Sequence, residues 1–272
     1  MEQRKISFIG SGNMARSIFA GMLSSGYKAK NITATGRDEG KLKDLADCYG
    51  IHTTTDNANA VQDADVVILA VKPQMMSDVC EAFKTIDLSN KLIISIAAGI
   101  SAKRLNEMLG QEVNLVRVMP NTPSLVGKGM SGLYATPQVS SADKHFAGDL
   151  MSAVGEICWV AQESGINNII AAAGSAPAYF FLFMEAMQQE AIAQGFDQDT
   201  ARLLVQQAAL GAAEMVVASP ELELSTLREQ VTSKGGTTAE AIRTFNDCHL
   251  SAIVSKAMQA AVKRAEEMEK QL

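Results

Sequence analysis

Ile6-Ser7-Phe8-Ile9 runs directly into Gly10-Ser11-Gly12-Asn13-Met14-Ala15 near the start of the chain. A short apolar run followed by Gly-x-Gly-x-x-Ala reads as a strand, a tight turn and the first turn of a helix. Gly10 permits the turn, Gly12 leaves room for a pyrophosphate against the backbone, and Ala15 lets helix and strand pack closely. The helix N-terminus then offers free N–H groups and a positive dipole end to phosphate oxygens. The alternative is that Gly10 and Gly12 merely end a strand. Position favours the dinucleotide site, because the motif opens a series of alternating strands and helices. Ile9, Gly10, Ser11, Gly12, Asn13 and Met14 are therefore the cofactor contacts expected from this turn.

Working outward, a helix is expected over 13–25, closed by Gly26, and then a strand over 31–35. A charged helix follows over 39–49. Continuous apolar strands are expected over 66–71, 92–96 and 114–119, with helical segments between them, and a last strand over 155–160. Strands without polar alternation are buried on both faces, as in a parallel sheet covered by helices. Beyond Gln162-Glu163-Ser164 only helical patterns remain, over 166–194, 199–219, 221–232 and 238 to the end. The expected fold class is α/β: a Rossmann-type doubly wound sheet over residues 1–162, then an all-helical domain over 163–272.

Ligands of such sheets sit outside the carboxyl ends of the strands. That adds Ala70-Val71-Lys72-Pro73 and Ala97-Ala98-Gly99 to the expected cofactor contacts, although each is also ordinary turn chemistry after a strand. Asn57 is counted with them. The second strand ends Ala34-Thr35-Gly36-Arg37, with no acid at its end to take a ribose 2′-hydroxyl. An arginine fork suits a 2′-phosphate instead. Thr35 and Arg37 thus point to NADPH, with NADH as the second option. The alternative for Arg37 is a solvated loop charge, with Asp38 capping the next helix.

The bulk properties exclude other classes. Among 272 residues, 47% are hydrophobic and the formal charge is −6 without a basic block, which argues against nucleic acid as a main partner. Met1-Glu2-Gln3-Arg4-Lys5 leads straight into a strand and shows no secretory signal, so a cytoplasmic protein is expected. Cys48, Cys80, Cys158 and Cys248 are dispersed without metal-type spacing and read as reduced thiols; no metal is expected. The nearly apolar stretch 169–184 falls just short of the ~20 residues a spanning helix needs, and Asn167, Asn168 and Glu185 flank it closely. A buried or subunit-interface helix is the better reading, and no membrane is expected.

The second informative stretch is Val231-Thr232-Ser233-Lys234-Gly235-Gly236-Thr237-Thr238-Ala239-Glu240. Thr237 and Glu240 have capping-box spacing, and Ala241, Ile242 and Phe245 continue an apolar helix face. Gly235 and Gly236 then form a flexible turn into a helix N-terminus that favours an anion such as a small carboxylate. An ordinary helix–loop–helix turn would read the same way.

Here a resemblance enters. Ser233-Lys234-Gly235-Gly236-Thr237-Thr238-Ala239-Glu240-Ala241-Ile242 resembles the C-terminal signature of the pyrroline-5-carboxylate reductases. Ile9-Gly10-Ser11-Gly12-Asn13-Met14-Ala15, Ala70-Val71-Lys72-Pro73, Met119-Pro120-Asn121-Thr122-Pro123 and Gly174-Ser175-Ala176-Pro177-Ala178-Tyr179 are similar to that family in order and spacing. The chain departs from the family at Lys234, where proline is usual. The resemblance implies a helical domain through which two subunits interlock, homodimers that can assemble into a decamer of five dimers, and a substrate pocket formed by the signature loop near the nicotinamide. It implies reduction of 1-pyrroline-5-carboxylate to L-proline by NAD(P)H.

That chemistry suits these residues. Hydride transfer to a C=N bond needs alignment and a proton on nitrogen, and an imine is basic enough to need no strong acid. Thr238 is the expected hydrogen-bond partner of the imine nitrogen. Backbone N–H groups of Gly236, Thr237 and Thr238 are expected to hold the carboxylate, with Ser233 and Gly235 in the loop. Glu221, expected at a helix start, resembles a family position near the substrate; it equally suits a helix dipole. His52, His145 and His249 lie away from both motifs and read as surface or structural groups. A 3-hydroxyacid dehydrogenase would resemble this chain but carry a lysine in the run 174–180, where none stands. A non-catalytic nucleotide sensor would keep Gly10 and Gly12 without reason to keep the loop 235–238.

Overall fold

A computed structural model describes residues 2–271; Met1 and Leu272, the ends of the two expected domains, lie outside the described residues. Six strands and their helices alternate first: β1 (Ile6–Ile9), α1 (Asn13–Ser24), β2 (Ile32–Thr35), α2 (Glu39–Tyr49), β3 (His52–Thr54), α3 (Asn57–Asp63), β4 (Val66–Leu69), α4 (Met76–Glu81), β5 (Leu92–Ser95), α5 (Ala102–Leu109) and β6 (Asn114–Met119). Then come β7 (Gly129–Ala135), α6 (Ser141–Ser152) and β8 (Gly155–Trp159). The strands form one sheet in the order β3-β2-β1-β4-β5-β6-β7-β8. β1 to β6 pair in parallel, and the order reverses between β1 and β4. This is the doubly wound arrangement the alternation implies.

The sheet buries both faces. Phe8, Ile68, Ile94 and Val116 pack with Ile18, Phe19 and Phe146 on one side. Ile9, Val67, Leu69, Ile93 and Leu115 pack with Val61, Met76 and Leu105 on the other. That two-sided burial is why these strands show no polar alternation. Phe19 sits edge-on to both Phe8 and Tyr49, at 5.5 and 5.1 Å between ring centroids.

Two strands go beyond the sequence expectation. β3 is three half-polar residues at the sheet edge, too short to show a period. β7 holds two glycines that read as turn residues, and it runs antiparallel to β6. Its Gly132 is required by packing, because a Cβ there would lie 2.6 Å from the Ile169 side chain.

The rest of the chain is helical: α7 (Gly165–Ile169), a π-turn over Ile170–Gly174, α8 (Ala176–Ala193), α9 (Gln198–Ala218), α10 (Leu224–Gln230), α11 (Thr237–Asp247) and α12 (Leu250–Gln271). The expected helix over 166–194 is thus interrupted by the π-turn ahead of Pro177. The expected helix from 238 onward breaks at His249, whose φ is +57°. Contact density divides the chain into two compact units: the residues up to Ser175 together with those from Ala261, and Ala176–Ala260. Within the second unit α8 packs along α9. Few of its side chains are buried in the single subunit, and Phe180, Phe181, Leu182 and Val217 are each more than 60% exposed. The stretch Gly165–Ala193 is long and apolar enough, by length and composition, to cross a membrane.

Candidate active site

The reversal in strand order opens the crevice at the carboxyl ends of β1 and β4, and the glycine turn occupies it. Gly10 has φ +103°, and a Cβ there would lie 2.7 Å from the Ala70 carbonyl oxygen. Its N–H donates to Thr35 Oγ1 at 3.1 Å. Gly12 stands as N-cap of α1, and a Cβ on it would meet nothing within 4 Å. No side chain caps α1 and no acid lies in its first turn. The backbone donors of that turn are therefore free for an anion, and the open space above Gly12 admits one. The residues fit a dinucleotide pyrophosphate.

Ile9 and Thr35 lie beneath this turn. Ile9 is fully buried and its carbonyl accepts the Ala70 N–H at 2.9 Å; Thr35 is buried with its hydroxyl engaged by Gly10. Their side chains hold the turn from the core side. Ser11 lies over Gly36, where a Cβ would come 3.0 Å from Ser11 Oγ. Arg37 follows on the exposed bend and makes no hydrogen bond or ion pair with another described residue. Asp38 is committed as the cap of α2, accepting from the Lys41 N–H at 3.1 Å. Asn57 opens α3, behind the Asp56 cap. Val71, Lys72 and Pro73 follow β4, with Lys72 exposed. Ala97, Ala98 and Gly99 follow β5, where Gly99 has φ +75°. A polar cleft of about 350 Å³, lined by Lys5, Asn31, His52 and Asp63 among others, lies at the opposite, amino-terminal edge of the strands. Of the expected cofactor residues it contains none, although Thr54 and Asn59 of its lining flank Asn57.

The second motif folds as a tight turn into α11. Gly235 has φ +71°, which favours glycine, and Gly236 is the N-cap. The capping box does not form. Thr237 is the first residue inside the helix, its side chain caps nothing, and Glu240 pairs with Arg243 at 2.7 Å. The Gly236 N–H donates to the Ser233 carbonyl at 3.0 Å, which removes it from the expected carboxylate donors. The uncapped N–H groups of the first helical turn begin at Thr237 and Thr238, and Thr238 is exposed. Ser233, Lys234 and Gly235 are exposed in the turn. Glu221 lies in the turn before α10 rather than at its start; the N-cap there is Glu223, so the helix-dipole reading of Glu221 fails.

Two buried polar residues have no site role in the sequence analysis. Arg117 on β6 is only 2% exposed. It is ion-paired to Glu163 and to Glu269 of α12, the latter at 3.1 Å, and Asn167 donates to the same Glu269 carboxylate at 3.1 Å. Glu163 also accepts the first N–H of α5, from Ala102, at 2.6 Å. The visible signal was an arginine inside the apolar run Leu115-Val116-Arg117-Val118-Met119. Asn121 is 8% exposed; its Nδ2 donates to the Ala173 carbonyl at 3.1 Å, and its Oδ1 accepts the Met130 N–H at 2.8 Å.

A doubly wound sheet with an open phosphate cradle and a following helical region defines a nicotinamide-dinucleotide-dependent oxidoreductase. Residues 5–99 match the family described as NADP oxidoreductase, coenzyme F420-dependent, and residues 163–268 match the pyrroline-5-carboxylate reductase dimerisation family. The chain is 68% identical to the pyrroline-5-carboxylate reductase of Vibrio alginolyticus, over 99% of both chains, and 51% identical to that of Pasteurella multocida, again over 99% of both. Among solved structures, the pyrroline-5-carboxylate reductase of Coxiella burnetii superposes with a TM-score of 0.92 at 43% identity, covering 98% of this chain and 99% of that one. The Plasmodium falciparum pyrroline carboxylate reductase, solved with NADP bound, gives 0.87 at 29% identity over 99% of both. The chain belongs to the pyrroline-5-carboxylate reductase family. It reduces 1-pyrroline-5-carboxylate to L-proline with NAD(P)H, the last step of proline biosynthesis, and it assembles through a dimerisation domain.

Proposed function

We propose that the uncapped first turn of α11 is the substrate-carboxylate cradle of this reductase and that Thr238 is its hydrogen-bonding catalytic residue. The observation that carries this is the combination at one helix end: Gly236 as N-cap without a capping side chain, free donors from Thr237 onward, and an exposed Thr238 hydroxyl. The Thr237 and Thr238 N–H groups hold the carboxylate, aided by the dipole of α11. Ser233 and Gly235 shape the turn, and Lys234 places a cation beside it. The Thr238 hydroxyl hydrogen-bonds the ring nitrogen, fixing the imine while the proton needed there arrives with the substrate or from solvent. When bound, the reduced nicotinamide supplies the hydride to the imine carbon. On the dinucleotide side, the first turn of α1 holds the pyrophosphate, with Ser11, Asn13 and Met14 along it. Arg37 forks onto a 2′-phosphate, favouring NADPH over NADH. Val71, Lys72, Pro73, Ala97, Ala98 and Gly99 line the carboxyl edge, with Asn57 further along it. Glu221 stays a substrate-side candidate.

The helical region, taken as residues 163–272 after a dinucleotide-binding region of 1–162, covers its apolar surface with a second subunit. Five such dimers form the decamer. The same surface accounts for the apolar stretch Gly165–Ala193 without a membrane, and the enzyme works in the cytoplasm without nucleic-acid partners. A crystal structure with NADPH and a cyclic carboxylate analogue tests the assignment. The carboxylate is expected within hydrogen-bond distance of the Thr237 and Thr238 N–H groups; a carboxylate bound elsewhere overturns it.

A further inference from the structure

We propose that Asn121 is a positioning residue for hydride transfer, pinning the π-turn over Ile170–Gly174 to the loop that follows β6. The inference rests on the reading above that the dinucleotide lies along the carboxyl edge of the sheet. In a doubly wound sheet the end of β2 serves the adenosine ribose, so the half built from β4, β5 and β6 serves the nicotinamide nucleotide. Pro120, Asn121 and Thr122 follow β6 on that half.

The chemistry of the π-turn explains why Asn121 is needed. In a regular helix the Ala173 carbonyl would accept from the N–H four residues later. That residue is Pro177, which has none. A partly buried carbonyl without a donor is costly, and the Asn121 Nδ2 supplies one at 3.1 Å. The turn is widened by one residue, with the Ser175 N–H reaching the Ile170 carbonyl at 2.8 Å. Single π-turns of this kind concentrate at functional sites. The other end of the same amide accepts from Met130 at the start of β7. Asn121 thus spends both ends of its side chain joining the loop after β6, the first residues of β7 and the π-turn.

Packing holds the turn on the same strand ends. A Cβ on Gly174 would lie 2.9 Å from the Met119 methyl, and one on Gly132 would lie 2.6 Å from Ile169. The backbone at 173–175 is therefore seated directly on the last residue of β6. Hydride transfer depends steeply on donor–acceptor placement, where an error of about 1 Å costs on the order of a hundredfold in rate. Releasing the Ala173 carbonyl lets this wall of the nicotinamide site shift.

The test uses Asn121→Leu and the near-isosteric Asn121→Asp, which keeps an acceptor for Met130 but sets a carboxylate oxygen against the Ala173 carbonyl. Both are expected to lower kcat by about 10–100-fold while NADPH affinity stays within about threefold. The primary isotope effect on kcat, measured with NADPH deuterated at the transferred position, is expected to rise as chemistry becomes rate-limiting. Pro177→Ala, which restores an N–H four residues after Ala173, is expected to recover activity severalfold in the Asn121→Leu background and none in the wild type. Wild-type kcat and isotope effect in a folded Asn121 variant overturn the proposal, as does a failure of Pro177→Ala to rescue. If Asn121→Leu does not fold, Asn121→Asp carries the same readouts. Gly12→Asp separates this from the parent reading: it tests the phosphate cradle alone, and unchanged NADPH binding there refutes the seat of the cofactor rather than the role of Asn121.

Discussion

Thr238 and Arg37 are single exposed side chains whose removal leaves the fold intact, so they give clean tests of the site. Thr238→Ala loses one neutral hydrogen bond in the transition state, about 1–3 kcal/mol, or on the order of 10–100-fold in kcat, with NADPH affinity unchanged. Steady-state kinetics with 1-pyrroline-5-carboxylate and fluorescence titration of NADPH read the two quantities separately; full turnover by the variant removes Thr238 from the mechanism. Arg37→Ala is expected to weaken NADPH about tenfold and NADH hardly at all, since only the former carries a 2′-phosphate for a charge-assisted contact. Equal losses for both cofactors refute that contact. At this scale the sequence is readable where a residue is constrained by its own backbone. Gly10 and Gly235 sit at positive φ, and Gly12 keeps space open, so all three announce themselves. Side-chain bonding between distant segments does not. The Thr237–Glu240 spacing fits a capping box, but spacing cannot say where the helix begins, and Gly236 in extended conformation took the cap. Arg117 acquires Glu163, and the Asn121 Nδ2 acquires the Ala173 carbonyl, only when residues 46 or more positions away arrive.

Among elements, β1, β2, β4, β5 and β6 were legible because each central strand is apolar on two faces, whereas β3 and β7 were not. Three polar residues at an edge carry no period, and a strand with two glycines looks like a turn until Ile169 is seen to need the space. The lead-in to β1 gives a stability prediction. The Tyr27 hydroxyl, just past α1, donates to the Arg4 carbonyl at 2.6 Å and accepts the Arg4 N–H at 2.8 Å. Tyr27→Phe strands both backbone groups in a partly buried site, with an expected loss of about 1–3 kcal/mol in denaturant unfolding. Burial also pushes the Tyr27 phenol up to about 12 from its ordinary 10.0. The folded state holds the proton more tightly than the unfolded chain. The contribution is therefore complete below pH 10.0 and declines as pH rises towards about 12. Denaturant midpoints followed across that window should fall for the wild type, and this component of the fall should vanish in Tyr27→Phe.

At the scale of the whole molecule, the two compact units bury themselves differently. The nucleotide unit closes a core on both faces of its sheet. The unit Ala176–Ala260 leaves Phe180, Phe181 and Leu182 more than 60% exposed in the single subunit. An apolar surface of that kind requires a partner, and the dimerisation family assigned to this region says what kind. Phe181→Glu is expected to shift the enzyme from oligomer to monomer in sedimentation velocity and to abolish reductase activity with it; an oligomer of wild-type size would move the interface elsewhere. The last turns of α12 belong to the other unit, where Glu269 meets Arg117 and Asn167. An exopeptidase that nibbles past Glu269, or a truncation made to tidy the carboxy terminus, would thus strip a counter-charge from the interior of the nucleotide lobe. Expression designs for this enzyme should guard that tail as they would a core strand.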